Sequence, residues 1–210
     1  MVRIIKRKYS ITDFCGGSLI SIKHVLTAAH CMLNCKRKTR CKVKDSCTRD
    51  EVLCKNNIMK WVILGDHDLD TDNIGEIYRK IKRNIFHPKT NVPNPPDGEF
   101  HYDFSILELN QCIGLKPNVQ IVCLPQHDMR SYTGEQANVI GWGHQAYKDE
   151  NRNPLAGKYS PILKEISVQI LSDDECAKKS KQYERDFMMC AGDPIKWEKD
   201  ACQGDSGGRA

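Results

Sequence analysis

Residues 200–208 of this 210-residue chain read Asp-Ala-Cys-Gln-Gly-Asp-Ser-Gly-Gly. A serine is a weak nucleophile at neutral pH, and it attacks a carbonyl only when a base takes its proton and N–H groups stabilise the resulting oxyanion. Glycines at positions 204, 207 and 208 let the chain turn sharply around Ser206 without side chains that would block a substrate. The stretch therefore predicts the nucleophile turn of a hydrolase.

Two upstream segments supply the partners that such a serine needs. Leu-Thr-Ala-Ala-His-Cys at residues 26–31 offers His30 as the base, and its small residues leave room around the ring. Asp103 opens an apolar strand, where a lone carboxylate needs a specific partner. Since a carboxylate that holds the histidine tautomer completes a triad, we predict His30, Asp103 and Ser206 as the catalytic constellation.

Eleven cysteines are an unusual number for a chain of this length. Cytosolic proteins are kept reduced, so this density without any CxxC pair predicts an oxidising, extracellular setting. An odd number also predicts that at least one cysteine pairs outside these residues. The first eight residues are too polar for a signal peptide and no run is long enough to cross a membrane. We therefore expect a secreted protein without a membrane partner, whose signal lies outside this sequence.

The net charge of +5 hides an asymmetry. Residues 1–60 carry 14 Lys and Arg against 4 Asp and Glu, and much of this excess lies in residues 36–44. A solvated loop explains such a run, and the alternative is a patch that binds acidic partners or a polyanion such as heparin. No DNA-binding motif accompanies it, so we expect no nucleic-acid partner.

Short apolar or alternating runs recur between turn signals, and several are rich in β-branched residues, as is typical of strands. They predict an all-β barrel or sandwich. The runs cover residues 17–22, 25–27, 61–64, 77–85, 104–109, 137–142 and 162–170.

One helix is predicted over residues 172–183. Ser172 can cap it, and Glu175 three residues later completes a capping box. Two long polar stretches, residues 35–57 and 145–160, are predicted to be surface loops.

Five motifs resemble, in their order along the chain, those of the chymotrypsin-like (trypsin-like) serine protease family. The order His, Asp, Ser agrees with that family and disagrees with subtilisins and α/β-hydrolases. The resemblance covers nearly the whole chain and implies a double six-stranded β-barrel. An N-terminal half at residues 1–115 would carry His30 and Asp103, and an incomplete C-terminal half at residues 116–210 would carry Ser206. The motifs are CGGSLI at 15–20, TAAHC at 27–31, Asp103 before its strand, GWG at 141–143 and GDSGG at 204–208.

The same resemblance implies an endopeptidase that works through an acyl-enzyme without a required cofactor. His30 would be the general base and acid, with Asp103 as its orienting partner. The N–H groups of Gly204 and Ser206 would form the oxyanion hole. Asp200 would lie at the base of the specificity pocket and select Arg or Lys before the scissile bond. Proteins or peptides with those residues, and protease inhibitors, are therefore the expected partners.

Zymogen activation is a further implication. In the family, an activating protease frees an ammonium group that pairs with the aspartate before the nucleophile, which here is Asp205. The resemblance places that new N-terminus before Met1 and further barrel strands after Ala210. We therefore expect residues 1–210 alone to be inactive, since a buried Asp205 without the ammonium would be costly.

The disulfides of the family give partners to some of the cysteines. Cys123 resembles the cysteine that bonds a propeptide or light chain in many members, and it is also one candidate partner for Cys112. The partner of Cys202 is expected outside these residues. The two pairs implied within the chain are Cys15–Cys31 and Cys176–Cys190.

Four further cysteines lie in a basic insertion at residues 35–57, immediately after the predicted catalytic histidine. Four cysteines allow three pairings, which the sequence leaves open. A zinc site is an alternative, but the gaps of five, five and six residues lack the close pairs that such sites favour. We expect two disulfides that stiffen a loop at the rim of the cleft, formed by Cys35, Cys41, Cys47 and Cys54.

A structural calcium site is also a hypothesis. Asp66 and Glu76 lie at the two ends of the segment that binds calcium in trypsin-like relatives, and Asp68 adds a third carboxylate. Asn73 stands where another carboxylate is usual, and a solvated acidic loop is the alternative.

A second function stays open beside the protease. A non-catalytic homologue could serve as a binding or cofactor protein on the same fold. Such homologues usually lose a triad residue, whereas His30, Asp103 and Ser206 are all present. Within the enzyme interpretation, the stiffened loop and the light-chain cysteine favour limited proteolysis in a cascade over digestion.

Overall fold

The computed structural model describes most of the chain. The described residues are 1–8, 10, 14–43, 46–56, 59–71, 75–90, 102–125, 131–145, 158–181, 183–193 and 199–208. At residues 34–43, 46–56 and 158 this description covers the backbone only.

Thirteen strands, one short α-helix and one turn of 3-10 helix make up the described secondary structure. The helix α1 is Asp173–Lys179 and the 3-10 turn is His30–Met32. The strands are β1 Val2–Ile5, β2 Phe14–Ser21, β3 His24–Thr27, β4 Leu33–Val43, β5 Ser46–Asn56, β6 Trp61–Leu64, β7 Ile77–Phe86, β8 Ser105–Leu109, β9 Gln136–Gly141, β10 His144–Gln145, β11 Lys158–Tyr159, β12 Lys164–Ile170 and β13 Ala191–Gly192.

Six antiparallel strands close into a barrel in the order β1-β2-β3-β8-β7-β6. Closure removes exposed sheet edges and encloses an apolar interior. Side chains with at most 1% exposure fill that interior: Val2, Ile4, Val25, Val62, Leu64, Leu107 and Leu109. The all-β fold predicted from the alternating runs is therefore confirmed.

A second, partial set of strands follows the barrel. Strands β9, β12 and β13 form a three-stranded sheet, and β10 pairs with β11. Trp142, 1% exposed, packs with Ile5, Phe14 and Ile63 of the barrel. This contact buries one face of β1 under the second unit, while Ile4 faces the barrel interior. One six-stranded barrel and a partial second sheet are what the trypsin-like double barrel predicts.

Two local predictions are corrected by the structure, and one strand was missed. Residues 35–57 were expected to be a loop, but β4 and β5 form an antiparallel hairpin there. The helix was expected to reach residue 183, but it ends at Lys179, because Ser180 has an extended backbone (φ −131°, ψ 122°). Strand β1 was not predicted. The capping box of Ser172 and Glu175 is confirmed.

Candidate active site

His30 follows the end of β3 by two alanines and starts the 3-10 turn. The turn is closed by a hydrogen bond of 2.9 Å from the Met32 N–H to the Ala29 carbonyl. Ala29 and Met32 are buried, at 0% and 2% exposure, so the turn is anchored in the core. The imidazole itself stays at the surface with 36% of its side chain exposed. The local fold thus holds the backbone rigid and presents the ring to solvent.

Asp103 contacts His30 at two points. Its Oδ1 accepts the backbone N–H of His30 at 2.7 Å, and its Oδ2 lies 2.6 Å from Nδ1 of the ring. The first bond fixes the carboxylate against the main chain, and the second orients the imidazole. In the tautomer whose Nδ1–H donates to this carboxylate, the lone pair lies on Nε2, which is 3.7 Å from Sγ of Cys31. His30 is therefore set up as a proton acceptor through Nε2.

The residue before Asp103 has an uncommon backbone. Tyr102 has φ = 52°, the left-handed region that a non-glycine residue enters at a cost of about 1–2 kcal/mol. Its ring stacks on His87 at a centroid distance of 4.6 Å, and its carbonyl accepts hydrogen bonds from the Thr90 hydroxyl and the Phe104 N–H. These contacts hold the strained turn that aims Asp103 at His30.

The nucleophile turn is attached to the barrel through Gly16. The Ser206 carbonyl accepts the Gly16 N–H at 2.8 Å, and the Gly16 carbonyl accepts the buried hydroxyl of Thr27 at 2.8 Å. The same Ser206 carbonyl lies 3.6 Å from Sγ of Cys31, the residue after His30. Although 176 positions separate Ser206 from His30 in sequence, the fold sets their backbones side by side.

The Ser206 hydroxyl itself makes no hydrogen bond within the described part of the chain. The structure therefore joins His30 to Asp103 and sets Ser206 beside them, without forming the serine–histidine bond. In enzymes without bound substrate, catalytic hydrogen bonds are often long and tighten only in the Michaelis complex.

Gly207 allows this close approach. It has φ = 75°, and a Cβ at this position would lie 2.7 Å from the Ala28 nitrogen and 2.8 Å from the Gly16 oxygen. Any side chain here would push the nucleophile turn away from the barrel. The sequence predicted a turn-forming role for this glycine, and the structure adds a packing role.

The predicted oxyanion donors lie on the same turn. Gly204 has φ = 103°, and the turn is closed by the Asp205 N–H on the Cys202 carbonyl at 3.0 Å. Neither the Gly204 nor the Ser206 N–H has a hydrogen-bond acceptor among the residues that the structure describes. Both donors are thus available to an incoming oxyanion.

Asp205 sits in a cradle built from Gly141 and Gly143. Its Oδ1 accepts the Gly143 N–H at 2.7 Å, and its Oδ2 accepts the Cys202 N–H at 3.0 Å. A Cβ on either glycine would collide with the carboxylate. The half-buried Asp205 therefore has two donors from the backbone.

Asp200 lines an open cleft of about 320 Å³ beside the turn. Its side chain is exposed, and its Oδ1 accepts the N–H of Ala201 at 2.8 Å. Asp205 lies in the same cleft, as do the cations Lys164 and Lys199. A carboxylate in this cleft could bind a basic side chain of a substrate. Lys164 and Lys199 would compete with the substrate for that carboxylate.

The segment considered for calcium contains a buried ion pair. Asp66 forms it with Arg3, and the two side chains are only 1% and 5% exposed. Glu76 accepts the hydroxyl of Tyr78 at 2.8 Å. A calcium ion would have to displace the guanidinium to use Asp66, so the described residues fit an ion pair better than a calcium shell. Asn73 lies outside the described residues.

Two disulfides are formed as the family resemblance implied. Cys15 of β2 bonds Cys31, which fixes the chain after His30, and Cys176 of α1 bonds Cys190. Oxidation removes the thiolates that a metal would need, so the cluster of Cys15, Cys31 and His30 is not a metal centre. Three described cysteines are free: Cys112, Cys123 and Cys202. Cys112 and Cys123, considered as one candidate pair, are therefore not bonded to each other here.

Comparison with known proteins decides the family. The family model described as Trypsin matches residues 2–209. The chain belongs to the trypsin family.

Three relatives illustrate the similarity. Venom serine protease 34 of Apis mellifera is 30% identical over 99% of this chain and 44% of its own length. Urokinase-type plasminogen activator of Gallus gallus is 32% identical over 92% of this chain and 40% of its own.

The third relative, from Canis lupus familiaris, carries the name hepatocyte growth factor activator serine proteases. It is 33% identical over 93% of this chain and 26% of its own length. The chain thus spans less than half the length of these trypsin-family relatives.

Among the described residues, no helix is both long enough and apolar enough to cross a membrane.

Sequence reasoning missed several supporting residues of this trypsin-family site. Gly16 and Thr27 lie inside the quoted motifs, but their bonds to the nucleophile turn were not foreseen. The role of Gly143 as donor to Asp205 was also missed, although the Gly-Trp-Gly motif marked the position. Tyr102 carries no local signal for a positive φ, since tyrosine rarely adopts one.

Proposed function

We propose that this chain is the protease unit of a secreted trypsin-like serine endopeptidase that cleaves after Arg or Lys and is made as a zymogen. The observation that carries the proposal is the two-point contact of Asp103 with His30, with the Ser206 turn bonded to the barrel beside it. The two disulfides fit the oxidising environment of secreted proteins. We propose no required cofactor and no nucleic-acid or membrane partner.

The chemistry follows from the arrangement. Nε2 of His30 takes the proton of the Ser206 hydroxyl as Oγ bonds the substrate carbonyl carbon. The carbonyl oxygen becomes an oxyanion that the Gly204 and Ser206 N–H groups bind, where loss of one donor typically costs about 3 kcal/mol. His30 returns the proton to the leaving amine as the C–N bond breaks. The acyl group is left as an ester on Ser206. A water molecule, deprotonated by the same ring, then attacks this ester, and the ring returns the proton to the serine oxygen as the ester bond breaks. Asp103 stabilises the imidazolium at each stage.

Asp200 supports the specificity part of the proposal. An exposed carboxylate in the cleft beside Ser206 would pair with a guanidinium or ammonium group of the substrate. Removing the charge would weaken binding of basic substrates and leave the triad intact. Asp200→Ser therefore tests specificity separately from chemistry.

Asp205 supports the zymogen part. Its carboxylate rests on the N–H groups of Gly143 and Cys202, and a new terminal ammonium would give it a charged partner. The nucleophile turn would reorganise as Asp205 changes partners, which links cleavage by an activating protease to catalysis. The exposed free Cys123 is available for a disulfide to a light chain. Protease inhibitors that mimic a basic substrate would bind the same cleft.

The alternative is a non-catalytic homologue that binds partners on the same fold. The Ser206 hydroxyl, which makes no hydrogen bond within the described residues, is the observation that favours it. Covalent labelling distinguishes the two functions, because only an activated serine reacts rapidly with a fluorophosphonate.

The test expresses the protein from its complete reading frame and exposes it to a fluorophosphonate probe and to peptide amides with Arg, Lys, Leu or Glu before the scissile bond. We expect labelling at Ser206 and hydrolysis of the Arg and Lys substrates only. Ser206→Ala should abolish labelling, and Asp200→Ser should lower kcat/KM for basic substrates while labelling persists. Absence of labelling after activating cleavage, with a normal thermal unfolding transition, would establish the non-catalytic alternative.

A further inference from the structure

We propose that one outer face of the barrel binds a linear sulfated polysaccharide. This face, here called the basic face, is formed where the end of β1, the start of β6 and the length of β7 meet. Lys23 of the β2–β3 turn joins it through Glu108, and seven exposed cationic residues lie on these segments: Lys6, Arg7, Lys8, Lys60, Lys80, Lys82 and Arg83.

Strand pairing brings these residues together. Ile5 of β1 pairs with Trp61 of β6, and Trp61 pairs with Lys80 of β7. The Lys60 N–H donates to the Ile5 carbonyl at 3.0 Å, and the Lys60 carbonyl accepts the Ile81 N–H at 2.9 Å. The cations that follow β1 therefore lie beside those that precede β6 and those carried by β7. Segments far apart in sequence thus bring their cations into neighbouring positions.

Trp61 lies at the centre of this surface. The ammonium groups of Lys8 and Lys80 lie 5.8 Å and 5.2 Å from the centroid of its ring, and Lys8 is also 5.5 Å from the ring of Tyr78. Cation–π attraction offsets part of the repulsion between two like charges gathered around one ring. An anionic group bound between the two ammonium groups would offset the remaining repulsion.

At the other end of the basic face, one carboxylate meets three cations. Glu108, with 8% of its side chain exposed, lies 3.3 Å from Lys23, 3.0 Å from Lys82 and 2.5 Å from Arg83. The Lys82 and Arg83 side chains are themselves 57% and 66% exposed. One negative charge against three leaves this end positive and open to solvent. Glu76 reaches the opposite rim through its bond to the Tyr78 hydroxyl.

The basic face fits an extended ligand chain whose anionic groups each carry a single charge. Lys80, Lys82 and Arg83 are exposed along β7, and at the register shift between Ile81 and Arg83 the adjacent Lys82 and Arg83 both reach Glu108. Six of the eight cations are lysines, which act as point charges rather than as the planar fork with which arginine grips phosphate or carboxylate. The disulfides place the protein where sulfated polysaccharides, not nucleic acids, are the abundant polyanions. A linear sulfated chain is thus the favoured occupant.

This surface differs from the basic run at residues 36–44. Residues 36–43 of that run lie in β4, where the structure describes the backbone only. The two candidate surfaces can be separated by mutation, because they share no residue.

The experiment measures retention of the oxidised protein on immobilised heparin and the salt dependence of its binding. The principal variant neutralises three lysines that lie away from Glu108, so that no buried carboxylate is left without a partner: Lys8→Gln, Lys60→Gln and Lys80→Gln. A matched control removes three lysines from and after α1, with the same change in net charge: Lys178→Gln, Lys179→Gln and Lys181→Gln. A third variant neutralises the hairpin run: Lys36→Gln, Lys38→Gln and Lys42→Gln.

We expect the principal variant to elute at lower salt and to reduce the slope of log K against log salt by about two, since each released counterion contributes roughly 0.7–0.9. The α1 control should keep the wild-type slope. Thermal unfolding confirms that each variant is folded. Equal losses in the principal variant and the α1 control would overturn the proposal, as would a loss confined to the hairpin variant. Competition by single-stranded DNA or polyglutamate as effective as heparin, at matched charge, would overturn the assignment of the ligand.

Discussion

Replacing Arg3 with Met is expected to destabilise the fold through Asp66. Both side chains of the pair are almost fully buried, at 5% and 1% exposure, so solvent screens the interaction little. Removing one partner from a buried ion pair leaves an uncompensated charge and typically costs about 3–5 kcal/mol. For a chain of this size that corresponds to a fall in Tm of roughly 6–20 °C. Replacing both residues, by Arg3→Met with Asp66→Leu, should recover most of the loss.

The pH dependence identifies the cause. Burial raises the pKa of Asp66 above its ordinary value, and this outweighs the opposing attraction of Arg3. A carboxyl whose folded pKa exceeds its unfolded pKa stabilises the fold when protonated, so its contribution declines as pH rises through the two values. Without Arg3 the pKa of Asp66 rises further. The stability deficit of Arg3→Met should therefore be large at pH 7 and should shrink toward pH 4.

Asp66→Asn is the matched control, because it leaves Arg3 buried, charged and unable to deprotonate. By the same linkage its deficit follows only the titration of Asp66 in the wild type, so it should be larger at pH 4 than at pH 7, opposite in direction to that of Arg3→Met. Urea unfolding at the two pH values, followed by tryptophan fluorescence, measures both variants. A deficit below about 1 kcal/mol for Arg3→Met at pH 7, or one equal at both pH values, would refute the reasoning. A rise in Tm of the wild type on adding Ca²⁺ that is lost in Glu76→Gln would show that calcium binds this segment despite the ion pair.

Two further predictions follow from the structure. Gly143→Ala should displace the Asp205 carboxylate and cost about 1.5–3 kcal/mol for the charge-assisted hydrogen bond, measured by thermal unfolding, and fluorophosphonate labelling should slow with it. Gly114→Ala, where a Cβ meets nothing within 4 Å, is the control and should leave labelling unchanged. Glu108→Gln should flatten the acid limb of the stability curve between about pH 4.5 and pH 2. Lys82 and Arg83 lower the pKa of Glu108 to about 2, so its stabilisation is present above 4.5 and is lost as pH falls through 2. An unchanged acid limb would contradict this.

The barrel strands were predictable because one face of each packs on the core and the other meets solvent. Strands β3 and β8 show this alternation or a short apolar run, and both were predicted to within a residue or two. Strand β1 was missed because it is buried on both faces and carries Arg3 in its middle, so it has neither alternation nor an uninterrupted apolar run. Its burial depends on Trp142, which lies far along the chain. No local pattern can reveal such a contact.

The residues of the site, like the strands, were predictable only where the signal is local. His30 and Asp103 stand in local motifs whose residue types already indicate their chemistry, and the structure brings them into contact. The residues that support the site act through long-range contacts instead. Gly143 lies 62 positions from Asp205, and the backbone hydrogen bond from Gly16 to Ser206 joins residues 190 positions apart. Glycine at these positions is compatible with many turns. Only the folded structure shows which neighbouring atoms would collide with a Cβ at each of these glycines.

The hairpin cysteines show where the backbone adds what spacing could not. Register places Cys35 opposite Cys54 and Cys41 opposite Cys47. Six residues of extended strand separate Cys35 from Cys41, about 20 Å, whereas a disulfide needs Cα atoms within about 7 Å. Both alternative pairings require that longer span, since Cys47 lies beside Cys41. The sulfur atoms lie outside the described residues, and the prediction rests on the register alone.

We therefore expect disulfides Cys35–Cys54 and Cys41–Cys47, of the three pairings that the sequence left open. Mass spectrometry of a non-reduced digest, cut after Arg40 and Arg49, should show the Cys41–Cys47 bond inside the 41–49 peptide and the Cys35–Cys54 bond joining the two flanking peptides. The inner bond would close a short loop at the tip, and the outer bond would hold the base of the hairpin beside the 3-10 turn that carries His30. A peptide linking Cys35 to Cys41 or Cys47 would show that the register of β4 and β5 is wrong. Four free thiols binding one zinc ion would restore the metal-site alternative.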